Sequence, residues 1–324
     1  MHLTPNTYRR VLAPLLVVLA TLLSACDVNK AMTSEALGQQ IDYINTPDTE
    51  GSLERVSASV WTYRRYFDRT IVVDTAEGLV VVDPFSEELA TGLVKALHEA
   101  GVAKPVHTLI YTHYHMDHTR GGAVLKPRNV VCHARCSHWW SRFPAAETAG
   151  VLAPTQTVDG DATLQIGGVE IRLIYLENAH TDTNLAVFLP SERVLFAADT
   201  VAIRALLPSG GVSIFMPDYL RALGRLEGLD FDTYVSSHFS WGTKADFRGA
   251  VQMQRDSWAW IKEAVASVGE ERGGIPLIND RERMQRAYEL YYDRMKQKYG
   301  AWHGFDAQIL PTFLGGFTAH YVGT

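Results

Sequence analysis

The chain has 324 residues, of which 47% are hydrophobic and 20% are charged, and its formal net charge is −6. This hydrophobic share is ordinary for a globular protein, and the length allows one large α/β domain or two smaller ones. The negative charge argues against a nucleic-acid partner, which would need a basic face.

The first 25 residues are predicted to be an export signal, not part of the fold. Arg9 and Arg10 precede an apolar stretch over residues 11–23, which is too short for a confident membrane span. The run Leu23-Ser24-Ala25-Cys26 resembles the lipobox of bacterial lipoproteins, which implies that Cys26 becomes the lipidated first residue of the mature chain.

The polar residues 26–50 are then expected to tether the protein to a bacterial membrane, facing the periplasm or the outside. Two alternatives stay open. The segment could be an ordinary cleaved signal followed by an incidental cysteine, and the arginine pair also suggests a twin-arginine signal. The strongly apolar stretch favours general secretion over the latter.

Strand and helix signals alternate in the next part of the chain. Apolar runs near Val60 and over residues 70–73 and 79–82 predict strands, with a turn at 76–78. Ser86 is a suitable cap for a helix over residues 87–100, which Gly101 would end. Asp83, at the end of a strand, could orient a metal ligand or be an ordinary strand-end residue.

The densest chemical motif follows a predicted strand over residues 106–111. Three imidazoles and one carboxylate occupy six consecutive positions, and these are His113, His115, Asp117 and His118. Imidazole binds zinc, copper, iron or nickel, while a carboxylate adds an anionic ligand or a proton acceptor. Because an extended loop points successive side chains in different directions, we expect a loop over these residues to converge on a metal.

Cys132 and Cys136 follow in a predicted strand and a predicted helical stretch that runs to about residue 149. An exported protein could form a disulfide between them. Because a spacing of four residues is awkward for a disulfide, buried free cysteines are the favoured interpretation.

In the second half, three more candidate ligands each follow a predicted strand. His180 follows the strand over residues 169–176, Asp199 follows a hairpin whose second strand spans 194–198, and His238 follows the strand over 233–237. Beyond them, Lys244–Val268 and residues 280–299 are predicted to be helices whose aromatic residues pack on the domain. The tail over 309–316 could fold back towards the site.

The spacing H-x-H-x-D-H over His113 to His118, with His180, Asp199 and His238 in order after it, resembles the metallo-β-lactamase superfamily over about residues 55–245. This resemblance implies a four-layer αβ/βα sandwich formed by residues 51–245. Residues 246–324 would then be a helical extension packed on the same domain.

The resemblance also implies a ligand set for two metal ions. His113, His115 and His180 would hold one metal, Asp117, His118 and His238 the second, and Asp199 would bridge them. Zinc is expected, with iron or manganese possible. A hydroxide on the metals would attack the substrate, while Asp117 would orient it and pass a proton to the leaving group.

These features predict a metal-dependent hydrolase of a small-molecule ester, thioester or lactone. The sequence Ala198-Asp199-Thr200 also resembles the all-histidine subclass of zinc β-lactamases, which is the second interpretation. An iron-binding redox member such as a persulfide dioxygenase is the third. A binding protein with a vestigial site is the fourth, and the complete ligand set argues against it.

Overall fold

A computed structural model of the chain describes residues 35, 38–43, 51–207 and 215–323. The expected signal segment, Cys26 and most of the expected tether lie outside these residues. The chain divides into two compact units, residues 1–45 and 46–324. In the first unit, residues 38–43 are helical. The sheets all lie in the second.

The first sheet has seven strands that follow one another in chain order. Its first four strands are antiparallel, and the next three continue the sheet in parallel. Val80, Val81 and Val82 are fully buried, as expected for a strand covered on both faces. The strands are β1 (Ser52–Arg55), β2 (Val60–Arg65), β3 (Asp68–Thr75), β4 (Gly78–Val82), β5 (Val106–Ile110), β6 (Asn129–His133) and β7 (Gln156–Val158).

The second sheet has six strands in the order β13-β12-β11-β10-β9-β8. Only β11 and β12 pair in parallel, and the other neighbours are antiparallel. These strands are β8 (Ala162–Ile166), β9 (Val169–Tyr175), β10 (Leu185–Leu189), β11 (Val194–Ala197), β12 (Thr233–Ser236) and β13 (Trp241–Thr243).

Some of the helices cover the outer faces of the sheets, and the last two pack against the long helix that precedes them. They are α1 (Glu87–Glu99), α2 (Met116–Thr119), α3 (Gly122–Leu125), α4 (Cys136–Trp140), α5 (Met216–Glu227), α6 (Lys244–Val268), α7 (Arg281–Tyr299) and α8 (Phe305–Val322). A short hairpin, β14 (Glu271–Arg272) with β15 (Ile275–Pro276), and a 3-10 helix, Leu277–Asn279, connect α6 to α7.

The packing of these elements is a four-layer sandwich. One aliphatic cluster joins the inner faces of the sheets and includes Ile71 of β3 and Val187 of β10. A second cluster packs α1 on the first sheet, and a third packs α5 and the start of α6 on the second sheet. Each sheet is therefore buried on both faces. The expected αβ/βα sandwich with additional C-terminal helices is confirmed.

Helix ends agree well with the capping signals. The hydroxyl of Ser86 accepts a hydrogen bond from the backbone N–H of Leu89, and α1 ends one residue before its expected limit. Thr243 and Asp246 form a reciprocal capping box at the start of α6, which spans the expected Lys244–Val268. The sequence analysis did not predict α5, although Pro217 in its first turn is a helix-start signal.

Residues 246–324 were expected to be a helical extension, but no helix was assigned to the C-terminal tail, which forms α8. Pro311 inside a helix removes one backbone donor and normally disfavours it. Burial of Ile309, Phe313 and Phe317 in a cluster with α6 and α7 outweighs that cost. The extension contacts the loop after His238 through His303, whose ring lies 5.0 Å from that of Phe239. Within the described residues, no helix is both long and apolar enough to cross a membrane.

Two expectations for the region after β6 were wrong. The helix there ends at Trp140, and residues 141–155 form turns and irregular structure, not a helix to 149. Cys132 and Cys136 form a disulfide and are not free. The chain turns between β6 and α4 and brings their Cα atoms to 6.4 Å, which is within the range that a disulfide spans.

Candidate metal centre

Four strand ends deliver polar side chains to one edge of the sandwich. β5 leads to His113 and His115, β9 to His180, β11 to Asp199, and β12 to His238. The expected loop is only partly extended, because Asp117 and His118 lie on the single helical turn α2. Successive residues on a helix point about 100° apart, so the turn aims these two side chains differently while keeping both near the cluster.

Asp199 lies at the centre of this cluster. Its Oδ2 atom is 3.2 Å from Nε2 of both His118 and His180, and its Oδ1 atom is 2.9 Å from Nε2 of His238. Nε2 of His113 is 3.4 Å from Oδ2. One carboxylate therefore faces histidines of both expected metal sites, as a bridging ligand must.

The seven expected ligand residues fall into two groups that could each hold a metal ion. Within each group, the potential ligand atoms lie within 4.8 Å of one another. The first group is His113, His115, His180 and Asp199, and the second is Asp117, His118 and His238.

The chemistry of these donors fits a metal such as zinc. Imidazole nitrogens and carboxylate oxygens are its usual ligands apart from thiolates. Among the residues that the structure describes, Nε2 of His113 and of His118 are buried and make no hydrogen bond. Both nitrogens lie 3.2–3.4 Å from Oδ2 of Asp199 without hydrogen-bond geometry, and a cation in the cluster would give each of them a well-directed partner.

Asp83 belongs to a third group with His113 and His118, but its contacts orient neighbouring residues. Its carboxylate accepts hydrogen bonds from the backbone N–H and the hydroxyl of Thr112, and lies 3.1 Å from Nδ1 of His118. Nδ1 is the ring nitrogen of His118 that faces away from Asp199. This agrees with the first of the two interpretations of Asp83.

The loop that carries Asp83 also packs tightly against the metal-binding turn. The backbone N–H of Gly121 donates to the carbonyl of Phe85, and a Cβ at Gly121 would lie 2.6 Å from the carbonyl oxygens of Pro84 and Ser86. Glycine is therefore required for this close approach.

Sequence analysis missed three groups around the second set of ligands. Asp68 contacts Nδ1 of His238 at 3.1 Å, and Phe67 stacks on the same ring at 4.8 Å between centroids. The hydroxyl of Ser237 donates to Oδ1 of Asp199. Asp68 and Phe67 lie at the β2–β3 turn, far from every motif, so nothing in the local sequence indicates their role.

Burial and charge divide the imidazoles into two kinds. Burial, together with the neighbouring histidines, lowers the pKa of His113 to about 3 and that of His115 to about 4. Burial also opposes the charged form of His118 and His238, but the carboxylate of Asp199 outweighs it. The pKa of His118 is consequently raised well above its ordinary value, and that of His238 to about 9.

The carboxylate of Asp199 shows the complementary shift. Burial alone would raise the pKa of Asp199, but the charges of His118 and His238 hold it well below its usual range. His113 and His115 can therefore offer lone pairs without losing a proton, whereas a metal bound to His118 and His238 would displace protons from both.

Backbone strain is concentrated beside these ligands. Asp83, Asp199 and Phe239 have φ angles of 50°, 51° and 63°, in the left-handed region. Such conformations cost about 1–3 kcal/mol each and persist where the surroundings impose them. Aspartate tolerates this region better than most residues, which suits it to both strand ends.

An aromatic pair stands next to the first group of ligands. The rings of Tyr114 and Trp139 are stacked 4.9 Å apart, and the ring of Tyr114 lies 4.8 Å from that of His115. The indole N–H of Trp139 donates to Asp182, two residues after His180. Trp139 therefore connects α4 to both ligand-bearing segments.

Comparison with known proteins identifies a family. The model of the Metallo-beta-lactamase superfamily matches residues 67–238, a range that contains all seven candidate ligands. The chain is 31% identical over 257 residues to the 2,4-dinitroanisole O-demethylase subunit alpha of Nocardioides sp. (strain JS1661), covering 76% of this chain and 73% of the relative. It is 24% identical to a Metallo-beta-lactamase type 2 of Bacillus sp. (strain 170), over 54% of this chain and 70% of that protein.

Solved structures share the fold. A metallo-beta-lactamase from Pontibacter korlensis aligns with a TM-score of 0.52 at 22% identity, covering 62% of this chain and 99% of its own. A stereoselective inverting sec-alkylsulfatase from Pseudomonas sp. aligns with a TM-score of 0.61 at 16% identity, over 84% of this chain and 50% of its own. The wider coverage in the second case extends the likeness beyond the sandwich.

Proposed function

Because this chain belongs to the metallo-beta-lactamase superfamily, we propose that it is a dinuclear zinc hydrolase of a small-molecule ester, thioester or lactone. The observation that carries the proposal is Asp199, whose two oxygens face histidines of both candidate sites. We assign His113, His115 and His180 to one metal, and Asp117, His118 and His238 to the other, with Asp199 shared.

When bound, two metal ions would activate a water molecule as a nucleophile and polarise the substrate oxygen. The residues of the chain then have separate tasks. His113 and His115, neutral because of burial, would hold a metal without a competing proton. Asp83 would fix the ring of His118 through its contact with Nδ1. Asp117, whose side chain is 63% exposed, is positioned to pass a proton between the site and solvent.

A second candidate activity is cleavage of an aromatic methyl ether. A relative that shares 31% of its sequence with this chain is named 2,4-dinitroanisole O-demethylase. The stacked pair Tyr114 and Trp139 beside His115 offers a flat apolar surface on which an aromatic ring could stack.

The test is a substrate panel with metal-depleted, zinc-reconstituted and iron-reconstituted protein. It includes aryl esters, thioesters, lactones, a methyl aryl ether and a chromogenic cephalosporin. We expect zinc to restore ester, thioester or lactone hydrolysis. If the protein turns over only the ether, it is an ether-cleaving enzyme, and if it turns over only the cephalosporin, it is a β-lactamase. Turnover that requires iron would indicate a redox member of the superfamily.

Two variants provide the matched comparison. Asp199→Ala should bind neither metal normally and lose at least about 100-fold in turnover. Asp74→Ala should match the wild type, because Asp74 pairs with Lys104 at the other end of β3. Hydrolysis by the metal-free protein, or full activity in Asp199→Ala, would refute the proposed function.

We also propose that the protein is an exported lipoprotein anchored through Cys26, with a small molecule as its substrate and no nucleic-acid partner. The lipobox-like run Leu23 to Cys26 and the disulfide between Cys132 and Cys136 support an oxidising location. Cys26→Ala should abolish labelling by a fatty-acid analogue and release the protein from the membrane fraction. A variant that stays in that fraction would point to another anchor.

A further inference from the structure

The tip of the β2–β3 hairpin is joined to the loop that carries His238. The backbone N–H of Phe239 donates to the carbonyl of Phe67 at 2.6 Å, and the N–H of Arg69 donates to the carbonyl of Ser237 at 2.7 Å. Asp68 and His238 form an antiparallel bridge between these two bonds. The hairpin belongs to the first sheet and His238 follows a strand of the second, so this bridge connects the sheets beside the candidate metal centre.

The side chains of the hairpin tip hold the imidazole of His238 on two sides. Phe67 covers the ring face at 4.8 Å with an interplanar angle of 22°. Oδ1 of Asp68 lies 3.1 Å from Nδ1, while Nε2 on the opposite side of the ring lies 2.9 Å from Asp199. Two consecutive residues thus hold the imidazole: Phe67 contacts its face, and Asp68 contacts Nδ1.

His238 differs from the other two residues of its group in how it is supported. Asp117 and His118 lie on α2, and His118 is oriented by Asp83. The structure shows no contact of Asp68 or Phe67 with the histidines of the first group, within the described ring and ion-pair contacts. A carboxylate on the outer nitrogen of a ligating histidine fixes its ring and strengthens it as a ligand.

We propose that Asp68, assisted by Phe67, is a positioning residue for His238 and thereby sets the affinity of the second metal site without affecting the first. This inference rests on the proposed dinuclear centre. It assigns a role in metal affinity to a hairpin turn that no sequence motif marks.

The experiment counts and titrates metal in five proteins: the wild type, Asp68→Ala, Asp68→Asn, Phe67→Leu and Asp74→Ala. Asp74 is the matched control, because it is an aspartate of the same strand whose partner is Lys104. Metal-free protein is titrated with zinc against a chromophoric chelator, and bound zinc is counted by elemental analysis. Thermal unfolding of the metal-free proteins identifies any variant that has lost its fold.

We expect two binding steps in the wild type and in Asp74→Ala. In Asp68→Ala, one binding step should lose about 10–100-fold in affinity while the other is unchanged. Asp68→Asn should lose less, because its amide oxygen keeps a partial negative charge next to Nδ1 while the full charge of the carboxylate is lost. Phe67→Leu should weaken the same step and leave the other intact.

Two wild-type-like binding steps in a folded Asp68→Ala would overturn the inference, as would an equal loss at both steps. A wild type that binds only one zinc would instead refute the dinuclear function. The role of Asp68 is then decided by crystal structures of metal-free wild type and Asp68→Ala. A ring of His238 that stays in place beside Asp199 without Asp68 would overturn it, and a displaced ring would support it.

Discussion

At the scale of single residues, Asp83 is a buried carboxylate outside the candidate ligand set that contacts both Thr112 and His118. It accepts two hydrogen bonds from Thr112, which precedes His113, and contacts Nδ1 of His118. Asp83 is fully buried and has a left-handed backbone. The side chain of Asp83 therefore fixes both the backbone at Thr112, where the chain leaves β5, and the ring of the proposed ligand His118.

Replacing Asp83 with asparagine should weaken metal binding and turnover by about 10–100-fold, because only one oxygen remains for three donors. Zinc titration and kcat measured at saturating zinc test this. Asp159→Asn is the control, since Asp159 is an exposed carboxylate near His133, which is not a proposed ligand. Equal zinc affinity in Asp83→Asn and the wild type would contradict the orienting role.

The sequence could predict the candidate ligands but not the groups that hold them. His113, His115, Asp117 and His118 sit in one motif, and His180, Asp199 and His238 each follow a predicted strand. Asp68 and Phe67 have no such spacing, because they reach the site only through the pairing of distant segments. Contacts of that kind depend on tertiary packing, which local sequence does not encode.

At the scale of elements, α4 depends on the disulfide between Cys132 and Cys136. A helix of five residues does not persist in isolation, so its position must come from tertiary contacts. Trp140 donates from its indole N–H to the carbonyl of Tyr114, and Trp139 to Asp182. The disulfide fixes α4 to β6 at the opposite end from these contacts.

Removal of both cysteines should lower the free energy of unfolding by about 2 kcal/mol, the value expected for a disulfide that closes so short a loop. Denaturant unfolding with and without a reducing agent measures this loss. The reducing agent should destabilise the wild type and leave Cys132→Ala/Cys136→Ala unchanged. An identical midpoint for the wild type under both conditions would show that the disulfide contributes nothing.

The contact between α6 and α7 depends on a largely buried carboxylate. Asp256 of α6 accepts hydrogen bonds from Lys298 and from the hydroxyl of Tyr299, both on α7, and from Gln252. Burial alone would raise the pKa of Asp256, but these bonds outweigh it and lower the pKa below its ordinary value.

Asp256→Asn should cost about 1–2 kcal/mol of stability at neutral pH, because it removes charged hydrogen bonds. The folded pKa is the lower one, so this stabilisation is present above the unfolded pKa of about 3.9 and is lost as the pH falls through the folded pKa. The difference between wild type and variant should thus be constant from about pH 8 to 5 and shrink below about pH 4. Glu263→Gln, which breaks an exposed pair with Arg294, should cost less than about 1 kcal/mol throughout.

The helices of the extension show how far periodicity and capping can predict structure. α6 has a capping signal at Thr243 and a long apolar repeat, and its predicted bounds agree with the structure. α8 has neither a polar face nor a side-chain cap, and it contains Pro311. Its helical state depends on packing against α6 and α7, which its own sequence does not reveal.

At the scale of the whole molecule, each candidate metal site takes residues from both sheets. His113 and His115 follow β5 of the first sheet, while His180, Asp199 and His238 follow strands of the second. The aliphatic core between the sheets contains none of these residues. The fold should therefore survive without metal, and bound metal should add to its stability.

Chelation should lower the Tm without changing the far-ultraviolet circular dichroism of the folded protein. Zinc at about 1,000 times its Kd contributes about 4 kcal/mol, which corresponds to a Tm shift on the order of 10 °C. Asp199→Ala should show a much smaller shift on chelation. Loss of secondary structure at room temperature after chelation would contradict a metal-independent core, and an unchanged Tm would show that the native state binds no metal.

The distribution of ligands over residues 113–238 also sets the order of events during folding. Among the described strands, no neighbouring pair brings together a complete set of the proposed ligands, so the candidate centre forms only once the two sheets have docked. Such long-range contacts form late, and interactions absent from the transition state change the unfolding rate and not the folding rate. Zinc should accordingly leave the refolding rate unchanged and lower the unfolding rate.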